Sequence, residues 1–302
     1  MKKIVIAAGT GFLGTVLIDF FKESYIEIIV LTRGKSEQRN NIQYVHWNAE
    51  SLTGWENVLE NADVLINLAG KSVDCRYTPE NKAAILSSRI DSTRVLNEAV
   101  LICKNPPKHF INSSTATIYR HSEDKQMDEY SGEIGNDFSM NVAKSWEKAF
   151  YDVETDKTLK TAVRTSIVLG KNGGAFIPLK RLTQFGLGGK VGNGNQFVSW
   201  IHELDFARAI AFIIDRKLTG NINVVSPNPK RNIDFMRELR KAVRIPFGIP
   251  ISESMLKIGA KIIQTESELV LKSRNVIPKR LTENGFTFEY QDLEKAFKNL
   301  LL

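Results

Sequence analysis

The chain has 302 residues, 42% of them apolar and 25% charged, a balance that excludes a disordered polymer and leaves room for one large core or two lobes. The net charge of +7 comes from 41 basic and 34 acidic side chains scattered without a basic run or a nucleic-acid motif, so no nucleic-acid partner is expected and the excess suits phosphorylated small ligands. No stretch reads as a membrane span, and Cys75 and Cys103 lack metal-ligand spacing and are too few for a disulfide framework, so the expectation is a cytoplasmic protein with no metal.

The first element is a short apolar strand, 3–8, running into Gly9, Gly11 and Gly14 and then a helix over 12–21. The basic start and apolar stretch also resemble a signal peptide. That reading is set aside because the glycines fall at dinucleotide spacing, Asp19 interrupts the helix and no small-residue cleavage pattern follows. Glycines in the order G-x-G-x-x-G between strand and helix give a tight turn, close backbone approach to a pyrophosphate and close packing of helix on strand. Gly9, Thr10, Gly11, Phe12, Leu13 and Gly14 are therefore the expected pyrophosphate cradle.

The second strand, 27–32, ends in Leu31-Thr32-Arg33-Gly34-Lys35, where an NAD-binding protein normally places an acid about 20 residues past the glycines. An acid would repel a 2'-phosphate, whereas Arg33 grips one with a planar fork of donors and Lys35 adds charge. NADP (NADPH) is the expected cofactor, with Thr32 and Arg33 at its ribose. Further strands at 43–46, 64–68, 109–113 and 161–169 alternate with helices at 79–103 and 138–152, which predicts a Rossmann-type α/β doubly wound parallel sheet of about seven strands. After residue 170 the glycines thicken. A helix at 203–215 and a strand at 221–225 follow, then helices at 233–243, 252–263, 266–272 and 291–301. This divides the chain into a nucleotide-binding domain, 1–170 with 198–226 returning to it, and a smaller, mostly helical C-terminal lobe within 171–302, the ligand cleft lying between them.

These motifs resemble the extended, or atypical, short-chain dehydrogenase/reductases, in their nucleotide-sugar epimerase-like branch, over essentially the whole chain. IAAGTGFLG is similar to that family's G-x-x-G-x-x-G turn, with Ala8 in place of the first glycine. ADVLINLAG resembles the strand and turn beside the cofactor, which brings in Leu68, Ala69 and Gly70. INSSTATIY is similar to the strand carrying the catalytic hydroxyl, with Ser113 beside the cofactor and Thr115 where the epimerases have serine. CRYTPENKAAILSSRIDST, RTSIVLG, NVVSPNP and the ending SRNVIPKRLTENGFTFEYQDLEKAF fit the same branch. The resemblance implies hydride chemistry on a small substrate, nucleotide-linked or anionic, and leaves a homodimer open.

One part of the family pattern is missing. The usual Tyr-x-x-x-Lys, in which lysine lowers the tyrosine pKa and holds the ribose, is replaced by DFSMNVAKSWEKAF, with Met140 four residues before Lys144 and Ser139 one earlier. The candidate catalytic set is accordingly degraded: Thr115, Lys144 and, as the nearest phenol, Tyr119. Thr115 either holds a substrate oxygen or ties down its own strand end, and Lys144 either reaches the ribose or lies on a solvated face. Arg76, Arg89 and Trp200 are the expected substrate contacts. His202 and Asp205 are read as structural, with Asp205 capping the following helix, and Asp63 and Asn67 as satisfying loop backbone. Two functions follow, an NADP-dependent oxidoreductase or epimerase-like enzyme, or a non-catalytic NADP(H)-binding sensor or partner-binding module.

Overall fold

Apolar residues in the opening strand alternate between two covered faces. In β1 (Lys3–Ala7) Ile4 and Ile6 pack on one side and Val5 and Ala7 on the other, and β2 (Glu27–Thr32) repeats this with Ile28 and Val30 against Ile29 and Leu31. Strands buried on both faces call for helices on both faces, which is the doubly wound arrangement. The computed structural model describes residues 2–262 and 266–302.

Helix α1 (Phe12–Phe21) follows β1, and β2 leads through β3 (Glu37–Arg39) to β4 (Ile42–His46). Next come β5 (Val64–Asn67), α2 (Pro79–Ile102), β6 (His109–Thr115), α3 (Phe138–Tyr151) and β7 (Leu159–Thr165). The chain continues through β8 (Ile167–Leu169), α4 (Phe176–Leu182), β9 (Phe197–Val198), β10 (Trp200–His202), α5 (Glu203–Asp215) and β11 (Gly220–Val224). It finishes with β12 (Lys230–Arg231), α6 (Asn232–Ala242), α7 (Glu253–Ile262), α8 (Glu268–Leu271), α9 (Lys279–Glu283) and α10 (Leu293–Leu301).

The main sheet runs β11-β7-β6-β5-β1-β2-β4-β3, eight strands, parallel throughout except for β3 against β4. The strand beyond the expected seven is β3, whose three residues are all exposed and polar, so no apolar periodicity marks it. Strand order reverses direction at β1, which opens a crevice at the carboxyl ends of β1, β2 and β5. Helices α1 and α5 cover one face through Leu17, Ile18, Phe21, Phe206, Ile210 and Ile213. Val95, Leu96, Ala99 and Val100 of α2, with Phe150 of α3, cover the other. The expected strand 161–169 is two strands broken at Ser166: β7 stays in the main sheet, and β8 leaves it to pair with β10. A third core joins β8 and β10 to α4, α6 and α10 through Leu169, Phe176, Trp200, Phe235, Leu293 and Phe297.

Of the expected C-terminal helices, 252–263 is found as α7, its final residue 263 lying outside the described residues, and 266–272 shortens to α8. Among the described residues no helix is long and apolar enough to cross a membrane, and no group of His, Cys, Asp and Glu could hold a metal ion.

Candidate functional site

The glycine-rich turn is shaped at each position by what surrounds it. Ala8, where the resembling family has glycine, holds φ 58°, so the left-handed conformation survives without the residue that adopts it freely, at a cost of roughly 1–2 kcal/mol. Its N–H donates to Leu31 O at 2.9 Å, which ties the turn to β2. A Cβ on Gly14 would lie 2.1 Å from Gly9 O, so only glycine lets α1 seat on the turn. Gly11 differs. It is the N-cap of α1, has no side-chain cap, and a Cβ there would meet nothing within 4 Å. The N–H groups of Phe12, Leu13 and Gly14 have no intrahelical acceptor, so the positive end of α1 opens beside exposed Thr10 and Gly11 as an anion site. The Phe12 ring fills a cradle of Gly170, Gly173 and Gly174, where added Cβ atoms would lie 2.2, 2.4 and 2.8 Å from it. That cradle explains the first of the glycine-rich runs after Leu169, and nothing in the local sequence connects it to residue 12.

At the end of β2, Arg33 and Lys35 are exposed, and neither head group has a hydrogen-bond or ion-pair partner among the described residues. The loop carrying them is fixed: Thr32 Oγ1 accepts from Gly34 N at 3.1 Å, and His46 Nδ1 donates to Gly34 O at 2.8 Å. Two uncommitted cations on an anchored loop, next to the open end of α1, are what a second phosphate requires.

The β5 and β6 ends complete the crevice. Leu68 N donates to Ala7 O at 3.0 Å, and Asn67 Oδ1 accepts from Ala69 N at 3.0 Å, so Asn67 does satisfy loop backbone. Asp63, before β5, satisfies strand rather than loop backbone, accepting from Lys3 N at the start of β1 at 2.9 Å and from Lys108 Nζ at 2.6 Å. Gly70 is set by a neighbour, since a Cβ there would come within 3.1 Å of Arg89 Cζ. Ser113 is half-buried on β6. Thr115 Oγ1 accepts from Thr117 N at 3.2 Å and contacts Thr117 Oγ1 at 2.8 Å, so its hydroxyl is engaged at its own strand end. Lys144 is half-buried on α3, its Nζ donating to Asn136 Oδ1 at 2.7 Å.

No residue at the expected register of α3 supplies the missing phenol, and the helix's one tyrosine, Tyr151 at its last position, accepts from Ala162 N at 3.1 Å. Met140 is buried beneath the Asp137 cap of α3, and Ser139 Oγ donates to Glu268 Oε1 at 2.8 Å. Tyr119, the expected stand-in, is a core residue instead. It is 1% exposed, donates to Asn223 Oδ1 at 3.0 Å and accepts from Arg164 Nη1 at 2.9 Å. Burial raises its pKa, only partly offset by the Arg164 guanidinium, so this hydroxyl is both enclosed and harder to ionise.

Trp200 also leaves the candidate list. It is fully buried in the third core with Nε1 donating to Asn228 O at 3.1 Å, which gives a substrate no access to its ring. His202 and Asp205 are structural as expected, with the roles redistributed. His202 caps α5 through Nδ1, which accepts from Leu204 N at 3.1 Å. Asp205 instead anchors the C-terminal segment by accepting from Glu289 N at 2.9 Å and Tyr290 N at 2.7 Å. Arg76 pairs with Glu266 at 3.2 Å. Arg89 packs 5.0 Å over the Trp146 ring and donates from Nη1 to Lys71 O and Ile85 O at 3.0 and 2.9 Å. Burial lowers its pKa to about 10.

Sequence reasoning missed a buried network behind β6. Arg164 holds Glu147 through two bonds of 2.8 and 2.7 Å, and Ser114 Oγ donates to Glu147 Oε1 at 2.6 Å. It also missed Tyr77 and Arg274, whose Oη and Nε are buried without a hydrogen-bond partner.

The turn, the sheet order and the C-terminal segment decide the family. The model of the NAD dependent epimerase/dehydratase family matches residues 4–225, and that of a domain of unknown function, DUF1731, matches residues 252–300. The chain belongs to the NAD-dependent epimerase/dehydratase family. It is 34% identical over 301 residues to the epimerase family protein YfhF of Bacillus subtilis (strain 168), covering 99% of this chain and 97% of that one. The crystal structure of human epimerase family protein SDR39U1 (isoform 2) with NADPH superposes with a TM-score of 0.86 at 26% identity, covering 99% of this chain and 98% of that one. A nucleoside-diphosphate sugar epimerase from Corynebacterium glutamicum gives a TM-score of 0.78 at 28% identity, covering 99% of this chain but 58% of that one. Fold and family are those of the extended short-chain dehydrogenase/reductases, as the sequence motifs imply.

Proposed function

We propose that this family member binds NADP(H) in preference to NAD(H) and acts as an oxidoreductase or epimerase-like enzyme on a small anionic or nucleotide-linked substrate in the cytoplasm. The observation that carries the reading is the pairing of an open α1 N-terminus with uncommitted Arg33 and Lys35 where an acid would favour NAD. The NADPH-bound human relative supports it. In this reading Gly9 to Gly14 hold the pyrophosphate, Thr32 and Arg33 the 2'-phosphate end, Leu68, Ala69, Gly70 and Ser113 the nicotinamide side, and Lys144 the ribose. The nucleotide domain comprises 1–170 with 198–226, and the remainder of 171–302 closes the cleft. A bound nicotinamide supplies hydride exchange. Of the chain's own residues, Thr115 offers a hydroxyl to a substrate oxygen, with its proton free where Thr117 Oγ1 donates in their 2.8 Å contact and otherwise by giving up that bond.

Calorimetry of NADPH and NADH on the native chain and on Arg33→Asp tests the cofactor reading. Loss of one charge-assisted contact is expected to cost about 1.5–3 kcal/mol, roughly a tenfold to hundredfold loss of NADPH affinity. Equal native affinities, or an unchanged Arg33→Asp, would overturn it.

Burial of Met140 and the locking of Tyr119 favour a second reading, a non-catalytic NADP(H)-binding module. Tight NADPH binding with no oxidation of NADPH across a panel of carbonyl substrates would move the assignment to it.

A further inference from the structure

Buried polar atoms in proteins are nearly always paired, so buried donors without a partner mark places where an acceptor is expected. Tyr77 Oη and Arg274 Nε are both such atoms. They come from residues far apart in sequence and converge beside the N-terminus of α3. The Tyr77 ring packs edge-on against Phe138 at 5.0 Å, and its N–H donates to Glu266 Oε1 at 2.7 Å. Arg274 is placed by its N–H, which donates to Phe197 O at 2.8 Å, while Nη1 reaches only Ser273 O at 3.3 Å. Arg89 packs against Gly70, at the proposed nicotinamide end, and lies within electrostatic reach of Tyr77.

The Tyr77 phenol lies within electrostatic reach of both Arg89 and Arg274; desolvation lowers the pKa of both guanidinium groups and raises that of the phenol. Neither arginine makes a direct ion pair with a carboxylate among the described residues, and Asp137 and Glu268 act on Arg274 only from a distance. Among the described residues, the three carboxylates of this region are already engaged. Glu268 accepts from Ser139 and from Lys272 Nζ at 2.9 Å, Asp137 accepts from Met140 N and Lys272, and Glu266 accepts from Tyr77 N and pairs with Arg76. Ser139 favours the ionised form of Tyr77 by its proximity but does not reach hydrogen-bonding geometry with it. Arg76, Arg89, Lys272 and Arg274 thus outnumber Asp137, Glu266 and Glu268, and Lys82 adds a further cation 5.2 Å over the Phe138 ring.

Two buried donors within electrostatic reach of each other, one of them on a guanidinium that Asp137 and Glu268 offset only in part and both beside the Arg89 cation, call for an acceptor that carries negative charge. We infer that Tyr77, Arg89 and Arg274 form an oxyanion site that takes a carboxylate or phosphate group of the substrate. This deepens the proposed function by placing the anionic end of the substrate, and it rests on that reading only for the word substrate. The binding claim stands on these residues alone.

The test is a titration of the 15N-labelled full chain, with and without saturating NADPH, using acetate and inorganic phosphate as separate probes. The arginine Nε–H resonances are followed after assignment by Arg89→Gln and Arg274→Gln. Saturable shifts of the Arg89 and Arg274 signals are expected with at least one probe, and which probe saturates at lower concentration names the anion. Arg274→Gln should weaken binding about tenfold to a hundredfold and Tyr77→Phe several-fold, while Arg216→Gln, at the exposed end of α5, leaves it unchanged. Shifts in native protein that involve neither arginine, or that persist equally in Arg274→Gln and Tyr77→Phe, would overturn the site, as would no saturable shift with either probe. NADPH affinity measured on the same samples keeps the two readings separate. An absent anion response with NADPH still bound refutes this site alone, and an anion response without NADPH binding refutes the cofactor reading alone.

Discussion

Tyr119 shows how much a single residue's role depends on its surroundings rather than its type. Its phenol accepts from Arg164, whose other nitrogens grip Glu147, so the tyrosine is one corner of a buried ion-pair network. Removing the hydroxyl leaves Arg164 Nη1 and Asn223 Oδ1 without that partner in an enclosed site. Tyr119→Phe is therefore expected to destabilise the fold by about 1–3 kcal/mol, read as a lowered denaturant midpoint, with NADPH affinity unchanged. A variant of native stability that loses turnover would instead restore Tyr119 to the reaction. The sequence placed this residue beside Thr115 but could not show its partners, which lie 45 and 104 residues away. The role proposed for Arg33 rests on the opposite kind of evidence. Its meaning comes from its distance to a glycine turn in the same βαβ unit, and the structure adds only that its head group is uncommitted.

At the scale of elements, the β1 turn and α1 were readable because every constraint on them is local, while β3 and the break between β7 and β8 were not. Strand β3 has no buried residue to give a period, and the β7–β8 break at Ser166 arises from pairing with β10, which no local pattern encodes. The turn itself makes a sharp prediction, because its glycines serve different ends. Gly14→Ala would drive a Cβ to 2.1 Å from Gly9 O and 2.4 Å from Gly9 C, backbone atoms that can yield only if α1 moves off the turn. Overpacking of this kind costs about 1–3 kcal/mol or more, so both the thermal midpoint and NADPH binding should fall. Gly11→Ala meets nothing within 4 Å and should keep the thermal midpoint while losing NADPH affinity, since its Cβ projects into the space beside the helix N-terminus. Thermal scans and calorimetry on the two variants separate the cases. A Gly11→Ala protein that binds NADPH as tightly as the native chain would place the pyrophosphate elsewhere.

Two histidines couple the stability of the whole molecule to pH, one in the main sheet and one at the joint with the C-terminal layer. His109 opens β6, and because Thr161 Oγ1 spends its proton on Leu218 O, His109 Nε2 must donate to it at 2.8 Å, leaving Nδ1 buried and bare. His202 stacks on Tyr290 at 3.9 Å and accepts from Leu204 N through Nδ1, so its Nε2 donates to Asn299 Oδ1 at 3.1 Å. Burial is what holds each ring neutral, lowering both pKa values to about 4 from 6.5, and at His202 it does so against the opposing pull of Asp205, Asn299 and Glu289. Between those values the unfolded chain takes up protons that the folded chain refuses, so stability rises with pH across this window. It is fully present above about 6.5 and is lost as pH falls toward about 4. At 1.36 kcal/mol per unit, each histidine accounts for about 2 kcal/mol between pH 7 and 5. Glu129 and Glu203, whose carboxyls burial pushes up, act in the opposite direction over the acidic end of the same range, so the slope must be assigned by substitution. Denaturant midpoints at pH 7 and pH 5 are expected to fall with acidity in the native chain, and the fall should be smaller in both His109→Gln and His202→Gln, even though each variant starts from a lower stability at pH 7. An equal fall in native and both variants would place the acid sensitivity outside these two rings.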